Sequence, residues 1–208
     1  MPNKTDYKKD EKALYFPPEQ PVRIIIPEMK FFMISGTGNP NTSESFSEVV
    51  QALYSLSYTV KMSPKSGNAP EAYHEYTVYP LEGIWDMDDN AKDFSFLHKD
   101  FFRYTMMIRQ PEFVSEQFAL EILESVKKKK SIPVLADTKF GTIHEGTCVQ
   151  MMHIGPYDSE PASFQLMESF MLDQGLSRIT KSHREIYLSD PRRIAAEKMK
   201  TVLRCQVK

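Results

Sequence analysis

Glu185 stands between Arg184 and Ile186 in residues 184–188 (REIYL), a run that reads as an apolar strand. A carboxylate turned inward there costs free energy unless it is paired or used. Burial would also raise its pKa toward the range useful for proton transfer. Two other outcomes are open: alternation along the strand turns Glu185 to solvent, or Arg184 or His183 neutralises it. Trp85, the only tryptophan, ends a strand-like run just before a loop. A half-buried indole at such a rim stacks on a flat ligand or simply fills core. Glu82, three residues earlier, is either a second carboxylate of the same site or a surface charge.

Other chemistries are poorly served. His74, His98, His144, His153 and His183 are scattered, and no pair has metal-ligand spacing on a helix. His144 and Cys148 are four apart, but Gly146 lies between them in a non-helical stretch. Gly36 and Gly38 lack the third glycine of a dinucleotide loop and read as a turn. Neither Ser182-His183 nor Cys148 carries a triad pattern. No metal and no cofactor is expected.

Composition narrows the classes further. A length of 208 residues fits one large domain or two fused copies of a small one. A formal charge of −2 with mixed signs speaks against nucleic acid, because phosphate binding needs clustered Lys and Arg on one face. The one basic run, residues 127–130, ends an expected helix, where cations suit the negative end of the dipole. Cys148 and Cys205 do not make a disulfide framework. With no signal peptide at the polar start and no apolar run near 18 residues, a reduced, cytoplasmic location and no membrane partner are expected. The informative bias is ten Tyr, thirteen Phe and twelve Met. Tyr offers a rigid face with a polar tip and Met a soft, polarisable one, so both suit a pocket for an aromatic ligand.

The elements that would position these residues follow from pattern. Residues 1–26, punctuated by Pro17, Pro18 and Pro21, read as an N-terminal arm that opens with a short helix. Residues 29–35 (MKFFMIS) read as a buried strand closed by a turn at 36–40. A helix follows, with Ser45 and Glu48 at capping-box spacing and Phe46, Val49, Val50, Leu53 and Val60 on one face. Residues 73–84 read as a strand with Pro80 at an edge or bulge, 86–99 as an acidic loop, and 101–109 as a strand. Pro111 opens a long amphipathic helix that ends in the lysine run. Strands at 147–154, 184–188 and 201–207 and a helix over 159–174 complete the chain. This order contains a weak duplication. Residues 33–36 and 152–155 each precede a helix, and each half then adds two strands. Two strand–helix–strand–strand units, about 27–110 and 145–208, are joined by the helix 111–130 in one domain spanning 27–208. They predict an α+β fold with a pseudo-twofold axis and an antiparallel-rich sheet carrying its helices on one side.

Several short stretches resemble the GyrI-like family, the effector-binding domain also found in multidrug-sensing transcription regulators of bacteria. They are Pro27-Glu28-Met29, residues 36–40, residues 80–85, His153-Ile154-Gly155-Pro156-Tyr157 and residues 185–191. The last two, in that order and about thirty residues apart, are the most specific. The resemblance implies a ligand pocket at the junction of the halves and binding of aromatic, often cationic drugs around a buried glutamate, here Glu185. It also implies, for some stand-alone members, hydrolysis of the strained cyclopropane of DNA-alkylating natural products. No helix-turn-helix segment precedes the domain, which argues against direct DNA binding. Tyr79, Tyr157 and Tyr187 lie in or beside the family-like stretches, and their hydroxyls could donate to an oxygen gaining negative charge. Tyr104, Met106, Met151, His153 and His183 are further candidates for the pocket wall. The expectation is a protein that binds planar aromatic molecules and hydrolyses or sequesters them. A third possibility is a module that occludes a protein such as DNA gyrase through the acidic stretch Asp86, Asp88, Asp89 and Asp93.

Overall fold

Residues 29–35 are apolar almost without a break, the signature of a strand covered on both faces. They form most of β2 (Met29–Thr37), which pairs antiparallel with β4 (Phe102–Gln110) on one side and β5 (Lys139–Ile143) on the other. The computed structural model of the chain describes residues 4–40, 42–87 and 101–208. The chain divides into two compact units. The first takes Met1–Asp6, Met29–Leu81 and Asp86–Ile143, and the second takes Tyr7–Glu28, Glu82–Trp85 and His144–Lys208.

In the first unit, α3 (Glu44–Lys61) packs on β2 and β4, and α4 (Glu116–Lys129) packs on α3. The apolar stripe of α3 is Val49, Leu53, Leu56 and Val60, and that of α4 is Phe118, Ile122, Leu123 and Val126. Both helices start elsewhere than the pattern predicts. Ser43, not Ser45, heads α3, and the two hydroxyls lie 2.6 Å apart. Ser115 caps α4 by accepting the Phe118 N–H at 3.1 Å, so the helix begins at Glu116. Pro111 sits earlier, its carbonyl accepting the Val114 N–H in a turn. The expected strand over 73–84 is mostly irregular. Tyr76 makes one isolated bridge with Thr5, Tyr73 and Tyr76 pack on Phe113, and only after Pro80 does β3 (Leu81–Met87) begin.

In the second unit the strand order is β1 (Val22–Ile26), β6 (Gly146–Ile154), β8 (Lys200–Gln206), β7 (His183–Tyr187) and then β3. The registers of β1 with β6, β6 with β8 and β8 with β7 are antiparallel. Strand β1 lies inside the stretch expected to be an arm. Pro21 and Pro27 bracket it at positions where a missing N–H breaks no ladder bond. Two helical turns, α1 (Tyr7–Asp10) and α2 (Lys12–Tyr15), precede it. On one face, α5 (Glu160–Asp173) buries Met167 and Met171 against Val149, Met151, Leu203 and Cys205.

The fold is thus α+β, with the order β2-α3-β3-β4 repeated as β6-α5-β7-β8. Strands β1 and β5 lie outside that repeat, and neither is anticipated by the sequence pattern. Among the described residues no helix is long and apolar enough to cross a membrane. Most of the expected acidic loop at 86–99, including Asp88, Asp89 and Asp93, lies outside the described residues.

Candidate functional site

Strand alternation decides which side chains can meet. On β7, His183, Glu185 and Tyr187 share one face, and Arg184 and Ile186 share the other. The register continues each row across the sheet. Glu185 faces Leu203, which faces Met151, while Tyr187 faces Thr201, which faces His153. Glu185 therefore lies on the face covered by α5.

Its two carboxylate oxygens are both engaged. The Tyr187 hydroxyl donates to Glu185 Oε2 at 2.8 Å, and His183 Nε2 lies 3.0 Å from Oε1. Trp85, from β3, donates its indole N–H to the Tyr187 oxygen at 2.6 Å. Glu160, the first residue of α5, places its buried carboxyl next to that of Glu185. Burial, reinforced by the charge of Glu185, pushes the Glu160 carboxyl up to about 9. Burial and the neighbouring carboxylate thus both favour the protonated form of Glu160. Burial and the same charge raise Tyr187 well above the usual phenol range and Tyr157 to about 12.

Aromatic rings surround this carboxyl pair. Tyr157 meets Tyr187 edge to face, with centroids 6.0 Å apart, and is 38% exposed, whereas Glu185 is only 8% exposed. Phe164 of α5 meets the His183 ring at 4.7 Å. The arrangement can orient one carboxylate, hold a neutral carboxylic acid beside it, and offer flat apolar surface to a ligand.

Glu82 is buried rather than a surface charge. Two or four residues along β3 would share a face, but Glu82 and Trp85 are three apart and so point to opposite faces. Glu82 accepts from Arg184 Nη1 at 3.0 Å, with Arg184 and Glu82 only 2% and 1% exposed. Arg184 also pairs with Glu145 at 3.1 Å, and Glu145 with Arg204 at 3.4 Å. Arg204 in turn donates to Gln150 and to the Leu14 carbonyl, closing a buried ionic network on the face away from α5. Arg184 is thus committed to Glu82 and Glu145.

The remaining candidates divide by unit. Met151 is buried in the α5 core, and His153 is buried against Ser163 and the Pro156 carbonyl. Tyr79, Tyr104 and Met106 belong to the first unit. There Arg109 lies over the Tyr79 ring at 4.6 Å, Tyr104 packs edge-on against Phe46 at 5.2 Å, and Met106 is fully buried. Glu160 is the residue that pattern reading missed. An acid in the first turn of a helix is explained by the dipole alone, and its spacing from Tyr157 was the only other clue.

A family model, the GyrI-like small molecule binding domain, matches residues 21–207. The chain belongs to this family. A hydrolase from Listeria innocua is 39% identical to this GyrI-like chain, with a TM-score of 0.88, 99% of this chain and 100% of that one being covered. An uncharacterized conserved protein from Listeria innocua is 40% identical, with a TM-score of 0.91 and the same coverage. The EcmrR C-terminal domain, at 16% identity and a TM-score of 0.52 over 94% of this chain and 98% of that one, shares the fold. Comparison with curated proteins gives no match. The GyrI-like chain is accordingly a small-molecule-binding domain.

Proposed function

We propose that the Glu185 cluster binds a planar aromatic molecule and adds water across a strained, electrophilic ring conjugated to a carbonyl, such as an activated cyclopropane. The observation that carries this reading is the buried Glu185 carboxylate, one oxygen fixed by the Tyr187 hydroxyl that Trp85 in turn holds, with the raised carboxyl of Glu160 beside it. A relative 39% identical over nearly the whole chain is described as a hydrolase, which is consistent with it.

In this reaction Glu185 takes a proton from water, and the water oxygen bonds to the ring methylene. The ring carbon–carbon bond breaks, and its electron pair moves through the conjugated system onto the carbonyl oxygen. That oxygen, now a phenolate, takes a proton from Tyr157 or Glu160, and the proton held by Glu185 restores the donor. Trp85 and Tyr157 hold the flat scaffold. The substrate is already activated, so one base and one donor suffice. Such chemistry would disarm a DNA-alkylating natural product and would serve detoxification in the cytoplasm.

The second reading is sequestration or sensing without turnover, favoured by the setting of a carboxylate among aromatic rings, which attracts a cationic aromatic ligand. Titration with a planar aromatic ligand, followed by Trp85 emission, tests the binding step common to both. Saturable quenching that is weakened by Glu185→Gln supports it. Unchanged emission across cationic and neutral planar probes would overturn it.

A further inference from the structure

His153 is buried, carries no role in the proposed reaction, and reaches from its strand to both the following turn and the helix after it. It stands near the end of β6, in the cross-strand row that runs through Thr201 to Tyr187. Its Nε2 lies 3.1 Å from the Pro156 carbonyl oxygen and 3.2 Å from the Ser159 hydroxyl, and its Nδ1 lies 2.9 Å from the Ser163 hydroxyl on the first turn of α5. A carbonyl can only accept, so the Nε2 contact with Pro156 needs a proton on Nε2, whereas the Ser163 hydroxyl can serve either role at Nδ1. The Pro156 carbonyl also accepts from the Ser159 hydroxyl at 2.7 Å and the Ser159 N–H at 2.9 Å. The turn between these contacts needs Gly155, whose φ is +139° and whose Cβ would press against Ser159 Oγ at 2.9 Å. Tyr157 and Glu160 emerge from this same short stretch, the first inside the turn and the second at its end.

We propose that His153 is the positioning residue of the site, a latch that fixes turn 155–160 so that Glu160 and Tyr157 face Glu185. Its imidazole ties the end of a strand, one turn carbonyl and the first turn of a helix together through two opposite nitrogens. The inference rests on reading the Glu185 cluster as the working site, but its structural consequence can be measured without any ligand.

The experiment compares amide hydrogen exchange in the wild-type chain, His153→Ala, His153→Gln and Ser163→Ala, alongside titration of the Glu160 carboxyl by NMR. A glutamine amide can donate to Pro156 and accept from Ser163, so it replaces both contacts. The expected result is exchange at 157–160 about tenfold faster in His153→Ala, with β8 amides unchanged, and recovery in His153→Gln. Ser163→Ala gives a partial effect and keeps the test available if His153→Ala does not fold. Glu160, near 9 in the wild type, moves toward its ordinary value of 4.5 in the alanine variant. Unchanged exchange at 157–160 in folded His153→Ala or Ser163→Ala would overturn the latch. An ordinary Glu160 titration in the wild type, with the exchange pattern intact, would instead count against the proposed chemistry and leave the latch standing.

Discussion

The Tyr187 hydroxyl sits between two partners, taking the Trp85 indole N–H at 2.6 Å and giving its own proton to Glu185 at 2.8 Å. The direction of this relay is fixed, because an indole N–H can only donate. Tyr187 therefore orients Glu185 and ties the fluorescence of Trp85 to the state of the site.

Removing that hydroxyl should leave the fold intact and loosen the carboxylate. Tyr187→Phe is expected to reduce ligand affinity or kcat/KM by about 10–100-fold, the equivalent of one hydrogen bond to a charged group. Trp85 emission should shift as its partner disappears. Steady-state kinetics or titration, read beside the emission spectrum, checks both.

The raised Glu160 gives stability a pH signature. Its folded pKa, about 9, lies above its ordinary value of 4.5, so the folded state binds more protons than the unfolded state between those limits. Stability from this group is fully present below about 4.5 and is lost as pH rises through about 9. Urea unfolding across that window should show a decline toward alkaline pH. Glu160→Gln, neutral at every pH, should flatten it.

The ionic network on the other sheet face should behave as structure alone. Glu82→Ala removes a buried carboxylate partner of Arg184 and is expected to cost about 3–5 kcal/mol in urea unfolding. Variant molecules that remain folded should keep Trp85 quenching by ligand. Loss of binding at full foldedness would show that Glu82 reaches the site.

In the first unit, Gly36 pairs with Tyr104 across β2 and β4, and the tyrosine ring lies where a Cβ would stand. Gly36→Ala is expected to cost about 1–3 kcal/mol by overpacking. Combining it with Tyr104→Ala should give less than the sum of the two single losses. Thermal unfolding of the four forms measures the coupling.

Much of this was legible in the residues because local pattern carried it. The β6 and β7 stretches, the α5 helix stopping near Gly175, and the repeat of strand, helix, strand and strand all follow from short apolar runs and turn residues. Glu185 stood out as a charge inside such a run. Partner choice was not legible. Alternation says that Glu82 and Trp85 point apart, but only the sheet order says that Glu82 meets Arg184. Glu160 was hidden because a first-turn acid already has an explanation, and its closeness to Glu185 depends on the sharp turn at Gly155. Strand β1 was obscured by Pro21, Pro27 and Arg23, and Tyr73 to Tyr79 mimicked a strand through Tyr, Val and Thr content that serves an aromatic cluster instead.

The most direct test of the proposed chemistry is multiple-turnover incubation of the purified chain with a cyclopropane-bearing, DNA-alkylating natural product, followed by mass spectrometry beside Glu185→Gln. Water addition well beyond one equivalent per chain, reduced by about 100-fold or more in the variant, is the predicted result. Saturable binding with no water added beyond the uncatalysed rate, or turnover unaffected by Glu185→Gln, would contradict it.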